Sequence, residues 1–145
     1  ALEKWPRTKE AIRSHIHDYY SLMTAMDHDL GRLLDYVEKS RLNENTIIIY
    51  SSDHGLALGS HGLMGKQNIY EVGMKVPLFF SGPGIKTGKS DALVYLHDIF
   101  PTLTDFAQGK ISEKKDGKSL RGIITGKEKK VRNSLDTCHQ PRESN

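Results

Sequence analysis

The sequence predicts an α/β fold in which helices flank a largely parallel sheet. Three stretches carry that prediction. A long amphipathic pattern covers residues 10–39, a β-branched run follows at residues 46–50 after a short polar turn, and a second apolar run occupies residues 76–81. A long helix that hands over to a buried strand through a short loop is one arm of a βαβ unit.

In the first element, Tyr19, Met23, Met26, Leu30, Leu33 and Val37 recur at spacings of four and three, and Leu22 and Leu34 widen the stripe. Asp18, Asp27, Asp29, Arg32, Asp35 and Glu38 fall largely on the other face. The stripe predicts core packing and no chemical role. The polar residues 41–45 turn the chain into Thr46-Ile47-Ile48-Ile49-Tyr50, which does not alternate with polar residues. Such a run suits a strand buried on both faces, as in a parallel sheet. Residues 56–63 read as a loop. Residues 76–81 read as a second strand, with Pro77 tolerable near its start, and Gly82-Pro83-Gly84 breaks the chain. Residues 92–95 are a candidate third strand. Asp98 is placed to cap a helix through Ile99, Phe100, Leu103 and Phe106 that ends near Gly109. Beyond Lys110 periodicity fades, apart from a brief ordered turn over residues 119–124.

At 145 residues, 37% hydrophobic and 27% charged, the chain has the balance of one globular domain rather than a disordered segment. No apolar run approaches the roughly 20 residues that span a bilayer, so no membrane association is expected. The first ten residues include five charged ones and no apolar run, and no signal peptide is legible. The net charge of +3 is mild. Its densest basic group, Lys110, Lys114, Lys115, Lys118, Lys127, Lys129 and Lys130, is interleaved with Glu113, Asp116 and Glu128 and holds no aromatic residue for base stacking. That predicts a solvated face and no nucleic-acid partner. A lone cysteine, Cys138, excludes an internal disulfide.

Chemistry concentrates after the first predicted strand. Open α/β sheets bind ligands beyond the carboxyl ends of their strands, and Asp53-His54-Gly55 stands there. Asp offers a hard oxygen ligand, His a neutral nitrogen, and Gly55 a sharp turn that lets both face one ion. The same tripeptide also makes ordinary turns and helix caps. A glycine-containing loop, with Gly59, His61 and Gly62, leads on to Gly65-Lys66. An ammonium near the same strand end completes a cradle for a metal-bound oxyanion. On its own, Lys66 reads equally as a solvated surface lysine.

The wider pattern is more specific. Tyr19-Tyr20, Met26-Asp27, Gly31-Arg32-Leu33-Leu34 and Asn45-Thr46-Ile47-Ile48 are followed by Ser52-Asp53-His54-Gly55, Leu58-Gly59-Ser60-His61-Gly62-Leu63 and Gly65-Lys66. Val76-Pro77-Leu78, Gly82-Pro83-Gly84-Ile85 and Asp98-Ile99-Phe100-Pro101-Thr102-Leu103 complete the order. Over residues 15–125 this order and spacing resemble the formylglycine-dependent sulfatases of the alkaline-phosphatase superfamily. The resemblance implies a three-layer α/β sandwich of alkaline-phosphatase/sulfatase type, present as a partial domain. Residues 1–125 would be the later part of the catalytic domain, and residues 126–145 a linker or the start of a C-terminal region.

By the same resemblance, Asp53 and His54 match the second pair of ligands for a divalent cation, usually calcium. Many relatives carry Asn in place of His54, which leaves another divalent cation open. Lys66 matches a catalytic lysine that binds the sulfate and the leaving oxygen, and His61 a substrate-pocket histidine. The family's nucleophile is a formylglycine made from cysteine in Cys-x-Pro-Ser-Arg or Cys-x-Ala-Ser-Arg. In Cys138-His139-Gln140-Pro141-Arg142 the Pro comes one place late, the Ser is missing, and the segment follows the metal pair instead of preceding it. Cys138 is therefore not expected to be the nucleophile. The formylglycine is expected upstream of Ala1, and this chain is expected to be an inactive fragment of a sulfuric ester hydrolase. Its partner would be a sulfated small molecule or a sulfated glycan, and its compartment periplasmic, secreted or lysosomal. Two other readings stand beside it: a phosphodiesterase or phosphonate hydrolase of the same superfamily, and a non-catalytic module that binds sulfated glycans.

Overall fold

Thr8 is extended, and its hydroxyl accepts a hydrogen bond from the Ala11 N–H at 3.2 Å, which starts helix α1 (Lys9–Lys39). Glu10 in the first turn and Lys39 in the last complement the helix dipole. The Ser40 N–H closes the helix on the Tyr36 carbonyl at 2.9 Å, and the left-handed Arg41 turns the chain away. The structure, a computed structural model, describes residues 7–66, 68–110 and 116–136. Its contacts gather into two units, Ala1–Pro83 and Gly84–Asn145.

In the first unit α1 follows the expected span, but its stripe is not the expected core. Ile12, Ile16, Tyr19, Met23, Leu30 and Val37 are half-buried. Leu22 and Leu33 are 63% and 57% exposed, and no residue of the helix is fully buried. Strand β1 (Ile48–Ser51) pairs with β4 (Leu78–Ser81), with Ile48 opposite Ser81 and Ser51 opposite Leu78. This pairing is antiparallel, which corrects the expected parallel neighbour. An unbroken apolar run signals how much of a strand is covered, whereas strand direction depends on the connection. Burial was overestimated too, since every residue of β1 is only half-buried. The second strand also begins later than expected, after Pro77, which has no N–H to give a ladder.

The expected loop over residues 56–63 contains a strand. A short hairpin pairs β2 (Ala57–Leu58) with β3 (Met64–Gly65), placing Ala57 opposite Gly65. Ala57 is fully buried. The short helix α2 (Glu71–Met74) then leads into β4.

The second unit is organised around a buried carboxylate. Asp98 does not cap α3 (Ile99–Phe106) with its side chain, contrary to the sequence-based expectation. It lies in helical conformation at the end of a 3-10 turn (Leu96–Asp98), where its Oδ2 accepts from the Tyr95 N–H at 2.8 Å. Its Oδ1 accepts from the Lys118 N–H at 2.8 Å and from Arg132 Nη2 at 2.7 Å. Below it, the buried Thr102 donates to the Asp98 carbonyl at 2.6 Å and accepts from the Leu120 N–H at 2.8 Å. Pro101 falls in the first turn of α3, where its missing N–H has no partner to lose. The expected turn after Ser119 is the short helix α4 (Arg121–Ile124). Residues 92–95 form no strand, because no neighbouring ladder is present among the described residues. Lys110, Lys118, Lys127, Lys129 and Lys130 are exposed, as a solvated face requires. The readings made for Glu113, Lys114, Lys115 and Cys138 lie outside the described residues. No described helix is long and apolar enough to cross a membrane.

Candidate functional site

The chain leaves β1 through a turn held by two hydrogen bonds. The Ser52 hydroxyl donates to the His54 carbonyl at 2.8 Å, folding the turn back on itself. The Gly55 N–H donates to the Gly73 carbonyl at 2.9 Å, which ties the turn to α2. A Cβ at Gly55 would lie 2.0 Å from the Val72 carbonyl oxygen, so only glycine lets the two backbones approach this closely.

This turn brings the two predicted metal ligands together. His54 Nε2 lies 3.3 Å from Asp53 Oδ2, with the Asp53 side chain 80% exposed and that of His54 32% exposed. His54 Nδ1 stands 2.9 Å from the Gly55 carbonyl, to which it can only donate. In the neutral imidazole that tautomer leaves a lone pair on Nε2, facing an anionic oxygen. A backbone carbonyl that fixes the far nitrogen is the usual support of a metal-binding histidine. Two donor atoms held about 2.4 Å from one ion at a right angle stand about 3.4 Å apart, so the pair fits two positions of a divalent cation. It fits only part of a coordination shell. Among the described residues, no group of three or more His, Cys, Asp or Glu side chains gathers around one point.

Lys66 follows Gly65 directly, and the hairpin register sets Gly65 against Ala57, three residues beyond His54. Lys66 is exposed, and no described acidic side chain pairs with it. His61 occupies the hairpin loop at φ 56° and ψ 24°, a left-handed backbone that costs a non-glycine residue about 1–3 kcal/mol. Gly59 begins this turn at φ 96°, and a Cβ there would lie 2.9 Å from Ile12 of α1. The His61 imidazole stacks on the Tyr70 ring, 3.9 Å between centroids and 11° between planes. Asp53 and His54 are thus in contact. Among the described residues, neither Lys66 nor His61 hydrogen-bonds or ion-pairs with them. Sequence reasoning gave Ser52 no role beyond its place in the motif, and it missed Tyr70. An aromatic residue four places after Lys66, ahead of a short helix, was the one available signal for the latter.

Known proteins resemble this chain both in sequence and in fold. The profile of the Sulfatase family matches residues 3–109. A sulfatase of Formosa agariphila is 38% identical over 125 residues, which cover 82% of this chain and 25% of that protein. A structure solved in complex with its substrate D-glucosamine-2-N,6-O-disulfate superposes with a TM-score of 0.80 at 33% identity, over 93% of this chain and 28% of the other. The phosphonate monoester hydrolase of Silicibacter pomeroyi gives a TM-score of 0.79 at 30% identity, over 93% of this chain and 26% of the other. The fold is therefore part of the α/β fold of the alkaline-phosphatase and sulfatase superfamily. The chain belongs to the sulfatase family. It spans about a quarter of the length of these relatives.

Proposed function

We propose that this chain contributes part of the active centre of a sulfuric ester hydrolase. The supporting observation is the Asp53–His54 pair, two lone-pair donors held 3.3 Å apart at the end of a strand. Asp53 Oδ2 and His54 Nε2 would hold a divalent cation, calcium on family grounds, as half of its protein ligands. Such a cation, when bound, draws charge from the oxygens of the ester group. Lys66 would place its ammonium on the sulfate and on the alkoxide that departs, where its charge counts most as the leaving oxygen becomes anionic. His61 would contact the substrate from the hairpin loop. The nucleophile, a formylglycine on family grounds, would come from sequence outside these residues, and the substrate would be a sulfated small molecule or glycan. The working compartment would be periplasmic, secreted or lysosomal, also on family grounds.

The 145-residue chain should accordingly leave 4-nitrophenyl sulfate untouched. Turnover by a preparation free of contaminating enzyme would sink the reading of a partial centre. A second reading rests on the likeness to the phosphonate monoester hydrolase, in which the ester attacked is a phosphonate. Rates on matched phenyl sulfate and phenyl phosphonate esters, measured on the protein with its nucleophile in place, separate the two.

A further inference from the structure

The backbone at His61 is left-handed without being glycine, inside a turn closed by its own hydrogen bonds from the Gly62 N–H to the Gly59 carbonyl and from the Leu63 N–H to the Ser60 carbonyl, each at 3.0 Å. Its surroundings are permissive, with Gly59 at φ 96°, Gly62 at φ 68° and Gly65 at φ 100°. The described contact that fixes the side chain is the face-on stack with Tyr70 at 3.9 Å. Tyr70 is 46% exposed, so the stack is not a by-product of burial in a core. Its backbone is well anchored. The Tyr70 N–H donates to Asn68 Oδ1 at 3.1 Å, and the Tyr70 carbonyl accepts from Gly73 N–H at 2.8 Å. Gly73 in turn accepts from Gly55, in the turn that carries Asp53 and His54.

One short helix therefore ties down both the Asp53–His54 turn and, through a ring face, the tip of the loop that carries His61. We propose that Tyr70 is a positioning residue, whose ring holds the His61 imidazole in place to meet an anionic ester oxygen. The proposal rests on the reading of His61 as a substrate-contacting group. It assigns Tyr70 no contact with the substrate. The flat face is what the role requires, so Phe should replace Tyr and a branched aliphatic side chain should not.

The test is an NMR titration of the 145-residue chain with inorganic sulfate, at ionic strength held constant with chloride, followed at His61 and Lys66. Tyr70→Phe should keep the upfield ring-current shift of the His61 ring protons and the sulfate affinity. Tyr70→Leu should lose the shift and weaken sulfate binding roughly three- to tenfold, the worth of an aromatic pair. His61→Ala should weaken binding to a similar degree, and the double variant should be no weaker than His61→Ala alone, because Tyr70 acts through His61. Additive losses, an unchanged affinity in Tyr70→Leu, or equal losses in Tyr70→Phe and Tyr70→Leu would overturn the proposal while leaving the role of Lys66 intact. A parent chain that gives no sulfate response at Lys66 or His61 would overturn the sulfate-site reading, and this proposal with it.

Discussion

Burial works against the charge on Asp98, but the Arg132 guanidinium and the N–H groups of Lys118 and Tyr95 outweigh it and hold the carboxyl below its ordinary value of 3.8. A carboxylate lowered in this way stabilises the fold fully above that ordinary value. The contribution is lost as pH falls through the lower, folded value. Asp98→Asn should therefore cost about 3–5 kcal/mol at neutral pH, because Arg132 keeps its charge with no anion beside it. The gap to the parent should narrow below about pH 4. Thermal unfolding followed by circular dichroism from pH 2 to pH 7 measures both, and a pH-independent gap would contradict the account. A different test belongs to His54. Replacing it with Asn exchanges a nitrogen donor for an oxygen, so His54→Asn should favour calcium over zinc severalfold in competitive titrations.

Two glycines separate local propensity from tertiary constraint. Gly31 lies inside α1, and a Cβ there meets nothing within 4 Å. Gly31→Ala should stabilise the chain by about 0.5–1 kcal/mol through helix propensity alone. Gly55→Ala pushes a methyl group into backbone that cannot swing aside, and should cost at least about 1–3 kcal/mol. Urea midpoints of the two variants should move in opposite directions. The same division governs what could be read in advance. Residues 10–39 were legible as a helix to within one residue, because a period of 3.6 over thirty residues leaves little ambiguity. Asp53 and His54 were legible as neighbours at a strand end because they are adjacent in sequence. The β2–β3 hairpin was not legible, since two-residue strands carry no period.

Among the described residues, few apolar side chains are buried, and Ala57, Pro101 and Leu120 form that set. Tyr20, Leu22, Leu33, Tyr36 and Phe79 are more than half exposed. A chain in this condition exposes little additional apolar surface on unfolding. Its urea m-value should fall at or below the low end of the usual range of about 1–3 kcal/mol/M, and it should bind a hydrophobic dye such as ANS while folded. A steep unfolding transition without dye binding would show that the apolar stripe of α1 is covered in solution. Coverage of about a quarter of the related proteins is in keeping with this exposure.

Sequence was enough for the features that depend on neighbours along the chain: the α/β class, the span of α1, the adjacency of Asp53 and His54, and the ordered motifs that place the chain among sulfatases. Periodicity and short spacing encode these without reference to anything distant. The tertiary structure alone decided that β1 and β4 run antiparallel, that Asp98 serves Arg132 instead of capping α3, and that Tyr70 lies flat on His61. Each joins residues separated by nine to thirty-four positions. Contacts of that kind depend on how the chain returns upon itself, and local pattern does not record it. The α/β prediction therefore stands for the elements, while the direction of the sheet came from the pairing of strands.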